Sequence, residues 1–258
     1  MIVTRTILIT GSTSGIGLGI ARAFAAAGYN IAFNGLEPDG ADIAQQVADE
    51  FRIGHTFSPA NMLRPQEIRN LVADAIQTFG AIDVLVNNAG VQFVAPIDEF
   101  PDEKWEDIIS INLTAAFHAT KAVWGSMKER HFGRIINIAS AHGLRASAYK
   151  SAYVAAKHGL VGFTKTIAHE GGPFGITCNA ICPGYVETPI VAAQIPQQAK
   201  LHHMTEAEVK EKVFLERHAV KEFVPVELLA QTALFLASPL AATITGIAMP
   251  VDAGWTAH

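Results

Sequence analysis

The chain has 258 residues, of which 50% are apolar and 17% charged, with 21 glycines and 12 prolines spread along it. That balance belongs to a globular protein with a large core and excludes disordered, collagen-like and fibrous architectures. Nineteen Lys and Arg against 24 Asp and Glu leave a formal net charge of −5, so no basic excess is available to neutralise a nucleic-acid backbone or to dock on an anionic membrane.

The first apolar run, residues 2–10, reads as a strand and lacks the long apolar stretch and small-residue cleavage site of a secretion signal. A helix is expected over 16–27, then a strand over 30–34, a helix over 41–51, a strand over 55–58, a helix over 66–79 and a strand over 83–88. This alternation is the rhythm of a parallel sheet. A long helix over 104–130, a strand over 134–140, a helix over 152–170 and a strand over 176–181 continue it, and residues 244–249 supply a seventh strand. The uncharged stretch 228–251 is long enough to span a bilayer, but Gln231, Thr232, Pro239, Gly246 and Pro250 divide it into a helix ending near Pro239 and a later strand. Residues 189–224 are polar and helical with no strand to return to, which predicts an inserted flap. Cys178 and Cys182 stand four apart on an expected strand, with no CxxC and no metal-ligand spacing. They read as buried thiols in a reducing cytoplasm, and no metal is expected.

The first strand runs straight into Gly11-Ser12-Thr13-Ser14-Gly15-Ile16-Gly17. Glycines allow a tight turn and a close backbone approach, and the first amides of the following helix face an anion such as a pyrophosphate. The second strand ends at Asn34-Gly35-Leu36-Glu37, where this fold reads a ribose hydroxyl. No Arg or Lys lies nearby to pair with a 2′-phosphate, and Glu37 would repel one, so NAD is favoured over NADP.

Tyr153 and Lys157 are four apart on an expected helix and therefore share a face. A phenol with a pKa of about 10 is a poor base at neutral pH, but a fixed ammonium ion beside it favours the phenolate. Together they can move a proton to or from an alcohol oxygen. Ser140 ends a strand at the carboxyl edge of the sheet, where its hydroxyl can reach a substrate carbonyl. Asn87-Asn88-Ala89-Gly90 ends the fourth strand at the same edge, and Asn112 is a polar residue in an apolar helical frame that needs a partner.

The ordered set Thr10-Gly11-xxx-Gly15-Ile16-Gly17, Asn87-Asn88-Ala89-Gly90, Asn112, Ser140, Tyr153-xxx-Lys157 and Pro183-Gly184 resembles the short-chain dehydrogenase/reductase family over nearly the whole chain. The resemblance implies an α/β fold, a single Rossmann-like doubly wound parallel sheet of seven strands with an inserted helical flap, and one catalytic domain over 1–258. It implies that Tyr153 is the acid/base, that Lys157 lowers its pKa and holds the nicotinamide ribose, that Ser140 positions the reacting oxygen, and that Asn112 holds a water linking Lys157 to solvent. It further implies that NAD is held by Gly11, Thr13, Ser14, Gly15, Ile16, Gly17, Leu36, Asn61, Met62, Asn88, Gly90, Pro183, Gly184, Val186 and Thr188, together with Tyr153 and Lys157.

Gln92, His142, Lys150, Gln194 and Trp255 cluster in sequence around these positions or in the flap and C-terminal stretch. A lysine with neutral donors beside an acid/base suits a small anionic substrate, because the carboxylate is held apart from the reacting oxygen. The stretches Ser140-Ala141-His142-Gly143-Leu144, Lys150 to Gly159 and Gly184-Tyr185-Val186-Glu187-Thr188-Pro189 resemble members of the family that act on a short 3-hydroxy acid. That resemblance implies reversible oxidation of (R)-3-hydroxybutyrate to acetoacetate in a homotetramer, with Gln92, His142, Lys150 and Gln194 on the carboxylate and Trp255 near the methyl end. Asn61 stands where such members usually carry an Asp facing the adenine amino group, and 217–220 departs from their pattern. The competing expectations are a 3-oxoacyl carrier-protein reductase, which needs NADPH and a basic docking face, and a nucleotide sensor without chemistry.

Overall fold

The computed structural model describes residues 4–188, 191–192, 195–196, 199–200 and 203–257. Its strands are β1 (Thr6–Ile9), β2 (Asn30–Asn34), β3 (His55–Ser58), β4 (Val84–Asn87), β5 (Gly133–Ile138), β6 (Ile176–Pro183) and β7 (Ala248–Val251). Its helices are α1 (Gly15–Ala26), α2 (Gly40–Phe51), α3 (Pro65–Phe79), α4 (Asp102–Ile109), α5 (Ala115–Glu129), α6 (Ser151–Gly171), α7 (Glu206–Val209) and α8 (Val226–Ala237). The strands form one parallel sheet in the order β3-β2-β1-β4-β5-β6-β7.

Strand alternation divides the core into two layers. Ile7 and Ile9 of β1 face α1, α2 and α8 with Phe33, Val84, Val86 and Ile138, while Leu8 joins Leu85, Ile135 and Cys178 against α3, α5 and α6. Each such side chain contributes about 1.5–3 kcal/mol when fully buried. Both faces are covered, so the strands read as almost unbroken apolar runs. Among the described residues no helix is long and apolar enough to cross a membrane. Cys178 and Cys182 are unpaired and fully buried, and burial pushes the Cys182 thiol up to about 11.

Several boundaries differ from the sequence reading: β5 ends at Ile138, two residues before Ser140, which caps the next turn, and β6 runs on to Pro183. β1 begins at Thr6, after the non-strand residues 4 and 5, where its N–H is taken by the Asp83 carboxylate at 2.8 Å and pairing with β2 starts; the expected residues 2 and 3 lie outside the described residues. β7 lies later than 244–249: Gly246 adopts φ +74° and donates to Cys178 O at 2.8 Å, turning the chain before the strand starts. Pro250 is tolerated because β7 is an edge strand paired only with β6. The expected helix over 104–130 is α4 and α5 joined by one π-helical turn, Ser110–Thr114.

β1 lies between β2 and β4, so successive connections leave it in opposite directions and a crevice opens at the carboxyl ends. The two strand ends are locked together there. The Thr10 hydroxyl accepts from the N–H groups of Asn88 and Ala89, each at 3.0 Å, and the Asn88 amide donates to Thr10 O and Gly11 O. Asn34, nearly fully buried, accepts from Gly11 N at 3.1 Å and donates to Ser58 O and Ala60 O, tying the glycine turn to β2 and β3. A Cβ on Gly17 would sit 2.0 Å from Gly11 O and 2.5 Å from Asn88 Nδ2. Gly17→Ala is therefore expected to cost about 1–3 kcal/mol by overpacking and to weaken nucleotide binding. Urea unfolding and a cofactor titration check this, and an unperturbed variant would show that the turn is not tightly closed.

Candidate active site

A cleft of about 640 Å³ runs along the carboxyl edge of the sheet, within the range of roughly 300–1,000 Å³ usual for small-molecule sites. At one end it is walled by Gly11, Ser14, Gly15, Ile16, Leu36, Asn61 and Met62, and at the other by Ser140, His142, Tyr153, Lys157, Lys150 and Trp255. Asn88, Gly90, Gln92, Pro183, Gly184, Val186 and Thr188 lie between or flank them. Of the residues expected at the site, Thr13, Gly17 and Asn112 stand behind the wall, and Gln194 lies outside the described residues, as do 189–190 and several other flap positions.

The glycine turn fits a dinucleotide on its own geometry. Gly11 and Gly15 hold φ +61° and +50°, and Gly17 has no space for a side chain, so bare backbone and the α1 N-terminus face the cleft. Thr13 is buried and, instead of lining the cleft, donates its hydroxyl to Glu37; Ser14 donates to the other Glu37 oxygen at 2.9 Å. Partial burial raises the Glu37 pKa, but the hydrogen bonds from Thr13, Ser14 and the local backbone outweigh it and hold the carboxyl below its ordinary range. The charged residues lining the cleft, among those described, are Glu37 at the turn end and Lys150 and Lys157 at the other. The Asn61 side-chain oxygen accepts from Leu63 N at 2.9 Å, so a bond to an adenine amino group would use its second lone pair.

At the far end α6 carries Tyr153 and Lys157 on one face, and Lys157 Nζ is 5.6 Å from the Tyr153 ring centre. Lys157 is 3% exposed, donates to Ile138 O at 2.8 Å, and is pushed down to about 8 by burial, against a smaller opposing effect of Cys182. The Tyr153 phenol is raised by desolvation, and its hydrogen bond with the Ser140 hydroxyl works against this. Among these side chains burial is the dominant influence on the phenol, and the Lys157 ammonium donates one of its three protons to Ile138 O. Asn112 finds the partner that its apolar frame calls for. Its amide accepts from Val91 N and donates to Val91 O, each at 2.8 Å, rather than being directed at Lys157. It fixes the loop after β4, and a Cβ on Gly90 would come within 3.0 Å of its oxygen and 3.6 Å of Lys157 Nζ. The π turn swings it inward.

Ser140 leaves β5 in an extended conformation and accepts from His142 N at 3.1 Å. His142 is wedged between the Tyr153 and Trp255 rings, 5.9 and 5.1 Å centre to centre, with Nε2 3.0 Å from the Ser147 hydroxyl. Burial, then Lys150 and Arg217, push it down to about 3. It is thus a neutral hydrogen-bonding group. Two cleft residues were not singled out from sequence: Asn34, the staple of the glycine turn, and Tyr185, whose hydroxyl accepts from Lys150 Nζ at 3.4 Å. Tyr185 stands between Gly184 and Val186, both expected at the site, and that adjacency is the signal that finds it. Among the described residues no group of three or more His, Cys, Asp or Glu is arranged to hold a metal.

With this geometry established, comparison with known proteins is direct. The model of the short chain dehydrogenase family matches residues 5–199. The chain belongs to this family, whose members are oxidoreductases using a nicotinamide cofactor. It is 51% identical over 257 residues to the D-beta-hydroxybutyrate dehydrogenase of Rhizobium meliloti, covering 99% of this chain and 100% of that protein. It is 47% identical over 256 residues to the D-beta-hydroxybutyrate dehydrogenase of Cupriavidus necator, covering 98% of each. A solved structure of an actinorhodin polyketide ketoreductase variant with NADPH superposes with a TM-score of 0.90 at 35% identity, over 99% of this chain and 98% of that one.

The neutral His142 sets a pH dependence. Its folded pKa is far below the unfolded value of 6.5, so its contribution to stability is present above pH 6.5 and is lost as pH falls towards 3. The full loss is on the order of 5 kcal/mol. His142→Gln is expected to flatten the fall in melting temperature between pH 6.5 and 4 relative to the parent chain; parallel curves would show that His142 does not carry this linkage.

Proposed function

We propose that the protein is an NAD-dependent dehydrogenase that oxidises (R)-3-hydroxybutyrate to acetoacetate, reversibly, with the whole chain acting as one catalytic unit. The observation that carries the reading is the convergence of Ser140, His142, Lys150, Tyr153, Lys157 and Trp255 on one end of a cleft whose other end is a glycine turn. The names and full-length coverage of the Rhizobium and Cupriavidus relatives support the substrate.

A nicotinamide cofactor held along the glycine turn, with its ring end towards Tyr153 and Lys157, would supply the acceptor for the hydride leaving the alcohol carbon. Ser140 donates its hydroxyl to the reacting oxygen, and the Tyr153 phenolate takes the alcohol proton at Oη. Tyr153 starts with a raised pKa, so the chemistry depends on positive charge near the phenol. Lys157 supplies part of it from one helical turn away, and its bond to Ile138 O fixes where that charge sits. Lys150, an ammonium at the cleft, holds the substrate carboxylate with Gln92, neutral His142 and Gln194, and Trp255 closes the methyl end. Asn112 acts through Val91 on the loop beside the cofactor. Asn87, buried and bonded to Asn137 at 2.8 Å, acts on packing alone.

NAD rather than NADP is supported by Glu37, whose carboxylate occupies the end of β2 where a 2′-phosphate would bring further negative charge. The same feature disfavours an NADPH-dependent carrier-protein reductase. Buried unpaired thiols support a reducing cytoplasm. A homotetramer is what the family resemblance implies; Leu228, Phe235 and Leu240 are exposed apolar side chains that a partner subunit could cover.

The reading is tested by NADH absorbance on mixing protein, NAD and (R)-3-hydroxybutyrate; activity is expected, with NADP far weaker. No turnover with any short hydroxy acid would favour a nucleotide sensor. Tyr153→Phe is expected to remove turnover while leaving NAD binding by calorimetry intact. Lys150→Ala is expected to raise the KM for the acid by a loss of about 1.5–3 kcal/mol, the value of a hydrogen bond to a charged group; an unchanged KM would remove Lys150 from the carboxylate site.

A further inference from the structure

His218 is 1% exposed, and no role in the cleft accounts for its burial. Its ring is fully engaged. Nδ1 lies 2.9 Å from Glu222 O and therefore carries the proton, which leaves Nε2 as the acceptor for Tyr185 N at 3.4 Å. The ring also lies face-tilted against Tyr185, centres 6.0 Å apart, while Phe214 meets the Tyr185 ring edge-on at 5.1 Å. Val224 N donates to Tyr185 O at 2.8 Å, closing the same junction from the other side. Tyr185 is thus held through its N–H, its carbonyl and both flanks of its ring, and its hydroxyl accepts from Lys150 Nζ.

We propose that His218 is a positioning residue for substrate specificity: by fixing Tyr185 it sets where the Lys150 ammonium waits for the substrate carboxylate. A lysine side chain has four rotatable bonds and loses considerable rotamer freedom when it is held. A fixed phenol oxygen that accepts one of its three protons keeps the ammonium over the cleft, 5.6 Å from the Tyr185 ring centre, while two protons remain for an anion. The buried His218 is the far anchor of that phenol, and the bond acts on the backbone of Tyr185 rather than on the ligand. The inference rests on Lys150 binding the carboxylate, so its effect belongs in the affinity for the acid and not in the hydride step.

The experiment compares steady-state kinetics of His218→Ala, His218→Gln and Tyr185→Phe, and the double variant, with (R)-3-hydroxybutyrate and with a neutral secondary alcohol of equal length. His218→Ala and Tyr185→Phe are each expected to raise the KM for the acid five- to fiftyfold, with kcat within threefold and the KM for NAD unchanged. The neutral alcohol should be little affected. His218→Gln, whose amide oxygen can accept from Tyr185 N, is expected to recover part of the affinity, and the double variant should be no worse than the more impaired single one. An unchanged KM for the acid in either His218→Ala or Tyr185→Phe would overturn the proposal, as would equal losses with the neutral alcohol or full additivity in the double variant. If the parent chain turned over neither compound, the proposed activity itself would fall, which is a separate result.

Discussion

An ammonium ion with almost no access to water is the constraint around which the site is built. Lys157 is buried between α6 and the end of β5 with one bond to a backbone carbonyl. Holding its charge there costs about 3 kcal/mol, judged from the fall of its pKa from 10.5 to about 8. That stability is regained only as pH rises through 8 towards 10.5, so at neutral pH the folded chain carries the full cost. A structure without chemistry would replace such a residue with an apolar one; here the sheet edge, the Asn112 clasp on Val91 and the Ser140 turn are all arranged around it.

The rest of the architecture decides what that charge can act on. Parallel strands covered on both faces put the ends of β1, β4, β5 and β6 on one rim, and the reversal of connection at β1 opens the crevice there. The glycine turn exposes backbone at one end of the rim. At the other, short side-chain hydroxyls and a neutral imidazole surround the phenol, so Lys150 and Lys157 are the only cleft-lining cations among the described residues.

The strands were legible because burial on two faces leaves a signature independent of partners: 84–87, 133–138 and 176–183 are apolar or small almost throughout. The Tyr153-to-Lys157 spacing was legible because helical periodicity is local, whereas Ser140, expected to end a strand, caps the turn two residues after β5. What escaped was tertiary. Nothing in the sequence around Asn112 announces that its amide closes on Val91, 21 residues away, or that a π turn makes this possible. Burial, which raises Tyr153 against the influence expected from Lys157, is a property of the whole cleft. The meeting of His218 with Tyr185, 33 residues apart in sequence, likewise has no local signal. The late start of β7 depends on a glycine whose left-handed φ is read against β6.

The two thiols of β6 bear on how this molecule is handled. With Cys182 near 11, roughly one molecule in ten thousand carries its thiolate at pH 7, and the sulfur is shielded as well. Alkylating reagents will therefore find these sulfurs through opening of the sheet rather than through the groove. The labelling rate under native conditions becomes a clock for the opening of β6, the strand whose end also carries Pro183 and Gly184 to the rim.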